Sequence, residues 1–371
     1  MLHSTTLKQT PLHAEHVRLG AKMVDFGGWS MPVQYSGIID EHHAVRQNLG
    51  VFDISHMGQF FAEGPPAAAW LNRLLTNNID RLLIGQCQYT LLLNPDGGVI
   101  DDLIVYRIAE HRFLLVVNAS KIEEDFAWML SHLDPSVSFE NHSDHFAGFA
   151  IQGPQSAALF KAFFPDQYPA PAHNEILSIL IDSQPFYIAR TGYTGEDGFE
   201  VFCPSEVAVK TWNDILDKGL PLAIKPCGLG SRDTLRLEMC YPLNGSDLNH
   251  QTSPLEAGLG FFVDLSKPDF IGRSALAEQK AQGIQRRLVP FKMVGPCPPP
   301  RSHYPIFIGD QQIAETTSGS LSPTLQAGIG LAYIPTAFAQ VHQPIEIEIR
   351  GKRFPALLEK KPLHRPTLPS A

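Results

Sequence analysis

The clearest pattern along the chain begins at Asn94. Asn94-Pro95-Asp96-Gly97-Gly98 has the composition of a turn. The apolar, β-branched run Val99-Ile100-Asp101-Asp102-Leu103-Ile104-Val105-Tyr106 that follows reads as a strand. Alternation along a strand puts Ile100, Asp102, Ile104 and Tyr106 on one face and Val99, Asp101, Leu103 and Val105 on the other. Both faces are mostly apolar, so the strand is expected to be covered on both sides. Similar patterns predict a strand and turn over 51–57 and strands over 88–93, 113–118, 146–152, 186–190 and 199–202. Residues 345–350 alternate strictly, as a half-buried strand does. Helices are predicted over 38–48 (with Gly50 as the stop signal), 66–75, 121–133, from 155 onward and over 232–238. Residues 22–35 mix aromatics with Gly and Pro and are expected to form a loop packed on the core. Strands and helices mix without strict βαβ alternation, which indicates an α+β fold. The chain turns polar over 278–283, and Pro296, Pro298, Pro299 and Pro300 follow. A domain boundary is placed there, dividing 1–278 from an all-β domain over 284–371, a barrel or a sandwich.

A chain of 371 residues is long enough for two or three domains. Its 44% hydrophobic and 18% charged content is ordinary for a globular protein. A net charge of -9 argues against a nucleic-acid partner, which needs a basic footprint. No apolar run is long enough to span a membrane, and the first nine residues hold no secretory signal. The five cysteines are odd in number, with no C-x-x-C, and fit free thiols in a reducing cytoplasm. No G-x-G-x-x-G follows a strand, and neither a P-loop nor a G-x-S-x-G occurs, so dinucleotide, P-loop and α/β-hydrolase functions lack support.

Several residues carry candidate chemistry. Adjacent carboxylates at the start of a covered strand are costly unless paired or solvated. Either Asp101 and Asp102 both sit at the wet mouth of a hairpin, or one faces an enclosed site and handles a proton. Glu200 follows a turn over 191–198 whose three glycines allow close backbone approach. It is either an edge-strand acid facing water or a fixed carboxylate that accepts two parallel N–H bonds from an amidine-like ring edge. Arg232 and Arg236, one helical turn apart, are either a solvated pair or a clamp for an anion. Asp40, Glu41, His42 and His43 raise the question of a metal. Neighbouring His42 and His43 point about 100° apart on a helix and H-E-x-x-H is absent, so none is expected.

Read together, GAKMVDFGGW, DEHHAVR, FDISHMG, NPDGGVIDDLIVY, VVNAS, RTGYTGEDGFE, KPCGLGSRDTLRLE, DFIGR and SGSLSPTL stand in this order. With them the chain closely resembles the aminomethyltransferases of the glycine cleavage system, the T-protein family, from about Thr10 to about Arg365. The resemblance implies a three-domain clover-leaf, with two intertwined α+β folate-binding domains, a C-terminal β-barrel and tetrahydrofolate in the central opening. It also implies the reaction. A one-carbon unit leaves the aminomethyl group on the lipoyl arm of the H-protein for tetrahydrofolate, giving methylene-tetrahydrofolate, ammonia and the dihydrolipoyl arm. Neither a metal nor pyridoxal phosphate takes part in that family step. Residue by residue, the family's critical aspartate matches Asp102, and the glutamate gripping the pterin edge matches Glu200. Its folate contacts match Tyr193 and Arg232, aromatics lining the cavity match Tyr89 and Tyr241, and Arg365 matches a residue that could reach the glutamate tail.

The chain departs from the family at one loop. The family's L-Y-G-x-D/E-x-D-E is here Leu243-Asn244-Gly245-Ser246-Asp247-Leu248-Asn249-His250, so an aromatic has become Asn244 and an acidic pair Asn249-His250. That change bears on local substrate contacts rather than the pterin grip. The short stretch before the match leaves no room for a mitochondrial transit peptide, so a bacterial cytoplasmic protein is expected, with H-protein and tetrahydrofolate as partners and no membrane or nucleic acid. Two related functions remain as alternatives. One is a folate-binding protein without transferase activity, linked to iron–sulfur cluster maintenance. Its K-G-C-Y-x-G-Q-E string is matched only at Cys240-Tyr241. The other is a folate-dependent demethylase domain, which usually follows a flavin domain, and no dinucleotide fingerprint occurs here.

Overall fold

A computed structural model describes residues 6–164 and 167–365. Two sheets form its centre. The six-stranded sheet has the order Ile176–Ile181, Gln184–Ala189, Gly198–Pro204, Phe146–Gln152, Leu49–Asp53, Ile224–Pro226, antiparallel except for the last pair. The five-stranded sheet is antiparallel, in the order Cys87–Leu93, Val99–Ala109, Arg112–Val117, Gly58–Glu63, Ser138–Asn141. Leu49–Asp53 and Phe146–Gln152 are paired neighbours in the first sheet, yet the whole second sheet lies between them in the chain. The two α+β units are intertwined for this reason.

The sheets face each other across a shared core. Phe61, Tyr106, Leu114 and Val116 of the five-stranded sheet meet Phe52, Phe146, Ala150, Tyr187, Ala189 and Phe202 of the six-stranded one. The outer face of the five-stranded sheet is covered by the helices Ala67–Leu74 and Ile122–Ser131. Ser156–Phe163 and Ala208–Gly219 cover the outer face of the other. Coverage of both faces is what the near-continuous apolar runs of these strands demand. The C-terminal region is a closed six-stranded barrel from Arg286 to Leu358 with its own apolar interior. A further cluster, including Leu91, Val99, Leu237, Leu248 and Leu331, ties the barrel to the five-stranded sheet.

Three local readings change. Residues 22–35 form a β-hairpin, Lys22–Phe26 paired with Trp29–Gln34, rather than a loop. Gly27 and Gly28, both at positive φ, form the two-residue turn, and a Gly-Gly hairpin turn is readable only once the flanking strands are recognised. The helix predicted over 38–48 is Ile38–Gln47 and ends at Asn48, so Gly50 is not its stop but lies inside the strand Leu49–Asp53. The alternation along Val99–Ala109 is reset at a bulge, where Leu92 and Leu93 pair with Asp101 and Val99, leaving Ile100 as the extra residue. Ile100 therefore packs with Leu103 and Val105, and Val99 packs with Leu91 and Leu93. Among the described residues no helix is long and apolar enough to cross a membrane. All five cysteines are free thiols.

Candidate active site

A cavity of about 820 Å³ opens where the two sheets meet the barrel. Asp102 reaches it from the five-stranded sheet, Glu200 from the six-stranded sheet, and Ser318 and Gly319 from the barrel. Tyr89, Tyr193, Arg232 and Tyr241 also line it, so six of the seven expected site residues share one space. Arg365 does not line it. The N–H groups of Leu363 and His364 are tied to the carbonyl of Glu238, and Arg365 follows this tether at the exposed surface.

Asp101 and Asp102 follow a turn, yet neither sits at a wet mouth. The segment Asn249–Thr252 folds over the start of their strand, with Val99 N–H donating to the Asn249 and Thr252 carbonyls. The fit is close enough that a Cβ on Gly98 would lie 1.8 Å from the His250 carbonyl oxygen. Asp101 is fully buried on the outer face, and Asp102 faces inward. The Tyr89 hydroxyl donates to Asp102 Oδ2 at 2.9 Å, and Asn118 Nδ2 donates to Asp102 Oδ1 at 3.1 Å. Burial, reinforced by the charge of Asp101, pushes the Asp102 carboxyl up to about 7. That suits a group which takes a proton near neutral pH.

Glu200 is on a central strand, not an edge, and is 6% exposed. Its cross-strand neighbours are Ala189 and Ala150, whose small side chains leave space above it. Oε2 accepts from the Thr191 hydroxyl at 2.5 Å and the Tyr106 hydroxyl at 3.4 Å. Oε1 has no hydrogen-bond partner among the described residues and is left for the cavity.

The two arginines differ in a way their spacing does not reveal. Arg236 is saturated by Asp233, Asp247, Ser318 and the Tyr241 carbonyl. Arg232 lies 5.0 Å from the Tyr193 ring centroid, makes a 4.0 Å contact with Met57 Sδ, and has no partner for Nη1. Neither belongs to a solvated face. Tyr193 stacks on Tyr241 at 5.8 Å between centroids and donates its hydroxyl to the Pro242 carbonyl.

A family model described as the GCVT N-terminal domain matches residues 12–267, and the glycine cleavage T-protein C-terminal barrel domain matches 286–364. Curated proteins named Aminomethyltransferase from Bacillus mycoides and Bacillus cereus are each 44% identical over 362 residues, 97% of this chain and 99% of theirs. The chain belongs to the T-protein family, the aminomethyltransferases of the glycine cleavage system. The crystal structure of the glycine cleavage system aminomethyltransferase T from Bartonella henselae superposes with a TM-score of 0.90 at 33% identity, covering 97% of this chain and 99% of that one.

Against the family pattern, the divergent loop splits in two. Asn244 lines the cavity, donating Nδ2 to the Ile100 carbonyl at 3.3 Å while its buried Oδ1 has no partner. His250 points away, 2.9 Å from Glu124 at the surface. The sequence marks Tyr106 only as sharing the strand face of Asp102, and Asn118 and Thr191 only as members of VVNAS and of the glycine-rich turn. Their partners lie between 9 and 94 positions away, so no local spacing marks them. Among the described residues no group of three or more His, Cys, Asp or Glu side chains could hold a metal ion. His42 bonds Thr234 and Thr324.

Proposed function

We propose that this chain moves the one-carbon unit of the aminomethyl group on an H-protein lipoyl arm to tetrahydrofolate, and that Asp102 and Glu200 divide the work. The observation that carries this reading is their placement. Two carboxylates from facing sheets open onto one cavity, one raised toward neutrality and the other with a free oxygen. The cavity also offers a fit to a folate: a stack of aromatic faces, an unpaired buried guanidinium and room for a drug-sized ligand.

The donor carbon lies between a sulfur and an amine, so expelling ammonia leaves it electrophilic. The lipoyl sulfur must leave as well: a second folate nitrogen displaces it and gives up the proton that completes the thiol, after the first bond is made by the ring nitrogen that tetrahydrofolate, when bound, supplies as nucleophile. Asp102 accepts the proton that this nitrogen must lose, while Tyr89 and Asn118 hold its carboxyl in one orientation. Glu200 accepts from the amidine-like edge of the pterin through Oε1, a pairing that fixes the ring in the plane of the carboxylate. Arg232 places an unpaired positive charge beside Tyr193 for the anionic part of the ligand. The two α+β units then hold the reacting groups, and the barrel from Arg286 to Leu358 closes the site. Holding two large substrates in register supplies much of the remaining rate.

The test is steady-state transfer from aminomethylated H-protein by Asp102→Asn, with folate binding followed separately. Turnover should fall about 10²–10⁴-fold, with affinity changed far less. Unchanged turnover would remove Asp102 from the chemistry. Folate binding without transfer by the unaltered chain would favour a non-transferase folate protein instead.

A further inference from the structure

Asp101 does not reach the cavity, yet its surroundings are unusual for a structural carboxylate. It is fully buried, and its donors come from Asn118: the backbone N–H at 3.0 Å to Oδ2 and Nδ2 at 2.8 Å to Oδ1. Facing it from the first turn of the helix Ile122–Ser131 is Asp125, also fully buried. The carboxyls of Asp125 and Asp101 are in hydrogen-bond contact, and neither Asp125 oxygen receives a bond from any described donor.

Two carboxylates in contact inside an apolar layer do not both stay ionised, so one proton belongs to the pair. Asp125 has no donor to stabilise a charge, and Asp101 has two. The proton therefore resides on Asp125, whose carboxyl is pushed up to about 11 by burial and by the charge of Asp101. That proton is donated to Asp101 and becomes the third bond holding Asp101 as an anion. The other charged groups near Asp125 are on its own helix or just before it. They are Glu124 and Lys121, and the Lys121 ammonium is already bound to Glu124 at 2.8 Å.

Asn118 joins this pair to the reactive carboxyl. Its Nδ2 lies 2.8 Å from Asp101 Oδ1, 3.1 Å from Asp102 Oδ1 and 3.0 Å from the Asp102 carbonyl oxygen. We infer that Asp101 is a positioning residue for the reaction: a carboxylate held ionised by the Asp125 proton, tied to Asp102 through the Asn118 amide, that makes Asp102 a stronger base. This inference rests on Asp102 being the base. Besides Asp101, Asp102 faces the Tyr89 hydroxyl from the neighbouring strand, Tyr193 from the glycine-rich turn and Asn244 from the divergent loop, and none of these is a cation. Arg232 and Arg236 line the same cavity but act on Tyr193, and the repulsion between Asp101 and Asp102 raises Asp102 in addition to burial.

The experiment is the pH profile of kcat for transfer from aminomethylated H-protein, measured for Asp101→Asn, Asp125→Leu and Asp125→Asn. It is paired with the infrared carbonyl band of a protonated carboxyl in the same proteins at pH 9. Asp101→Asn removes the charge and should move the acid limb of the profile down by about one pH unit, with folate affinity unchanged. Asp125→Leu should move it the same way and by less, because Asp101, already pushed up by burial, loses one of the donors that hold its charge. Asp125→Asn still donates to Asp101 and should leave the limb in place, while abolishing the protonated-carboxyl band. A lowered plateau with an unmoved limb in Asp101→Asn would mean a merely structural role and overturn the inference. So would a wild-type protein without the band, a result that stands even if Asp101→Asn fails to fold. Full turnover by Asp102→Asn would instead overturn the base assignment, and the band would be unaffected by that outcome.

Discussion

Glu200→Gln isolates the pterin grip from the chemistry. In the native site Oε2 is committed to the Thr191 and Tyr106 hydroxyls, and Oε1 is open. A glutamine has one oxygen for those two tasks. If its amide oxygen stays on the hydroxyls, its NH₂ points at the N–H donors of the ligand. If it flips, Thr191 and Tyr106 turn to accept, which hydroxyls can do, and the ligand keeps one neutral bond. The second arrangement costs less, so the loss is that of a charge-assisted hydrogen bond, about 1.5–3 kcal/mol. This corresponds to a Kd weaker by roughly 10- to 150-fold. The flanking Ala150 and Ala189 make no polar contact with the side chain, so the fold should be undisturbed. Calorimetric titration with tetrahydrofolate measures the change, and kcat at saturating folate should move little because the interaction is made in ground and transition states alike. An unchanged Kd would refute the grip. A fall in kcat with KM unchanged would mean that Glu200 acts on the reacting atoms.

Arg232→Ala should weaken folate binding by tenfold or more with little cost in stability. Arg236→Ala breaks a buried pair with Asp247 and should cost about 3–5 kcal/mol in chemical denaturation. Equal effects on binding and on stability would erase the distinction. The Asp102 carboxyl titrates at about 7 in the folded chain against an ordinary 3.8, so the folded state holds an extra proton between those values. Its contribution to stability is complete below 3.8 and declines as the pH rises through that window. Asp102→Asn should accordingly raise the thermal midpoint more at pH 8 than at pH 4, and an equal change at both would show that ionising Asp102 carries no cost. Elemental analysis of active protein purified without chelators should find no stoichiometric metal; zinc or iron lost together with activity would reverse that expectation.

What was legible in the chain was local. Runs of β-branched residues, caps and turns placed the strands 88–93, 99–106, 113–118 and 146–152 close to their final bounds, because both faces of these strands are buried and leave a near-continuous apolar signal. The motif order carried the family, and with it the expectation that Asp102, Glu200, Tyr193 and Arg232 belong together. The tertiary structure decided the quantities on which chemistry depends. The turn beside Asp101 and Asp102 suggested water, but the segment Asn249–Thr252, roughly 150 positions later, excludes it. Arg232 and Arg236 have the same residue type and share a helix, and they differ because Asp233, Asp247, Ser318 and the Tyr241 carbonyl all converge on Arg236 and leave Arg232 without an anionic partner among the described residues. Ile100 changed faces at a bulge that no period-two pattern predicts. Arg365 fell outside the cavity because a backbone tether to Glu238 ends just before it. Apart from that bulge, which lies within one hairpin, a contact between distant segments sets burial or pairing in each case. Burial and pairing set proton affinity and free binding capacity, whereas local periodicity sets only which way a side chain points.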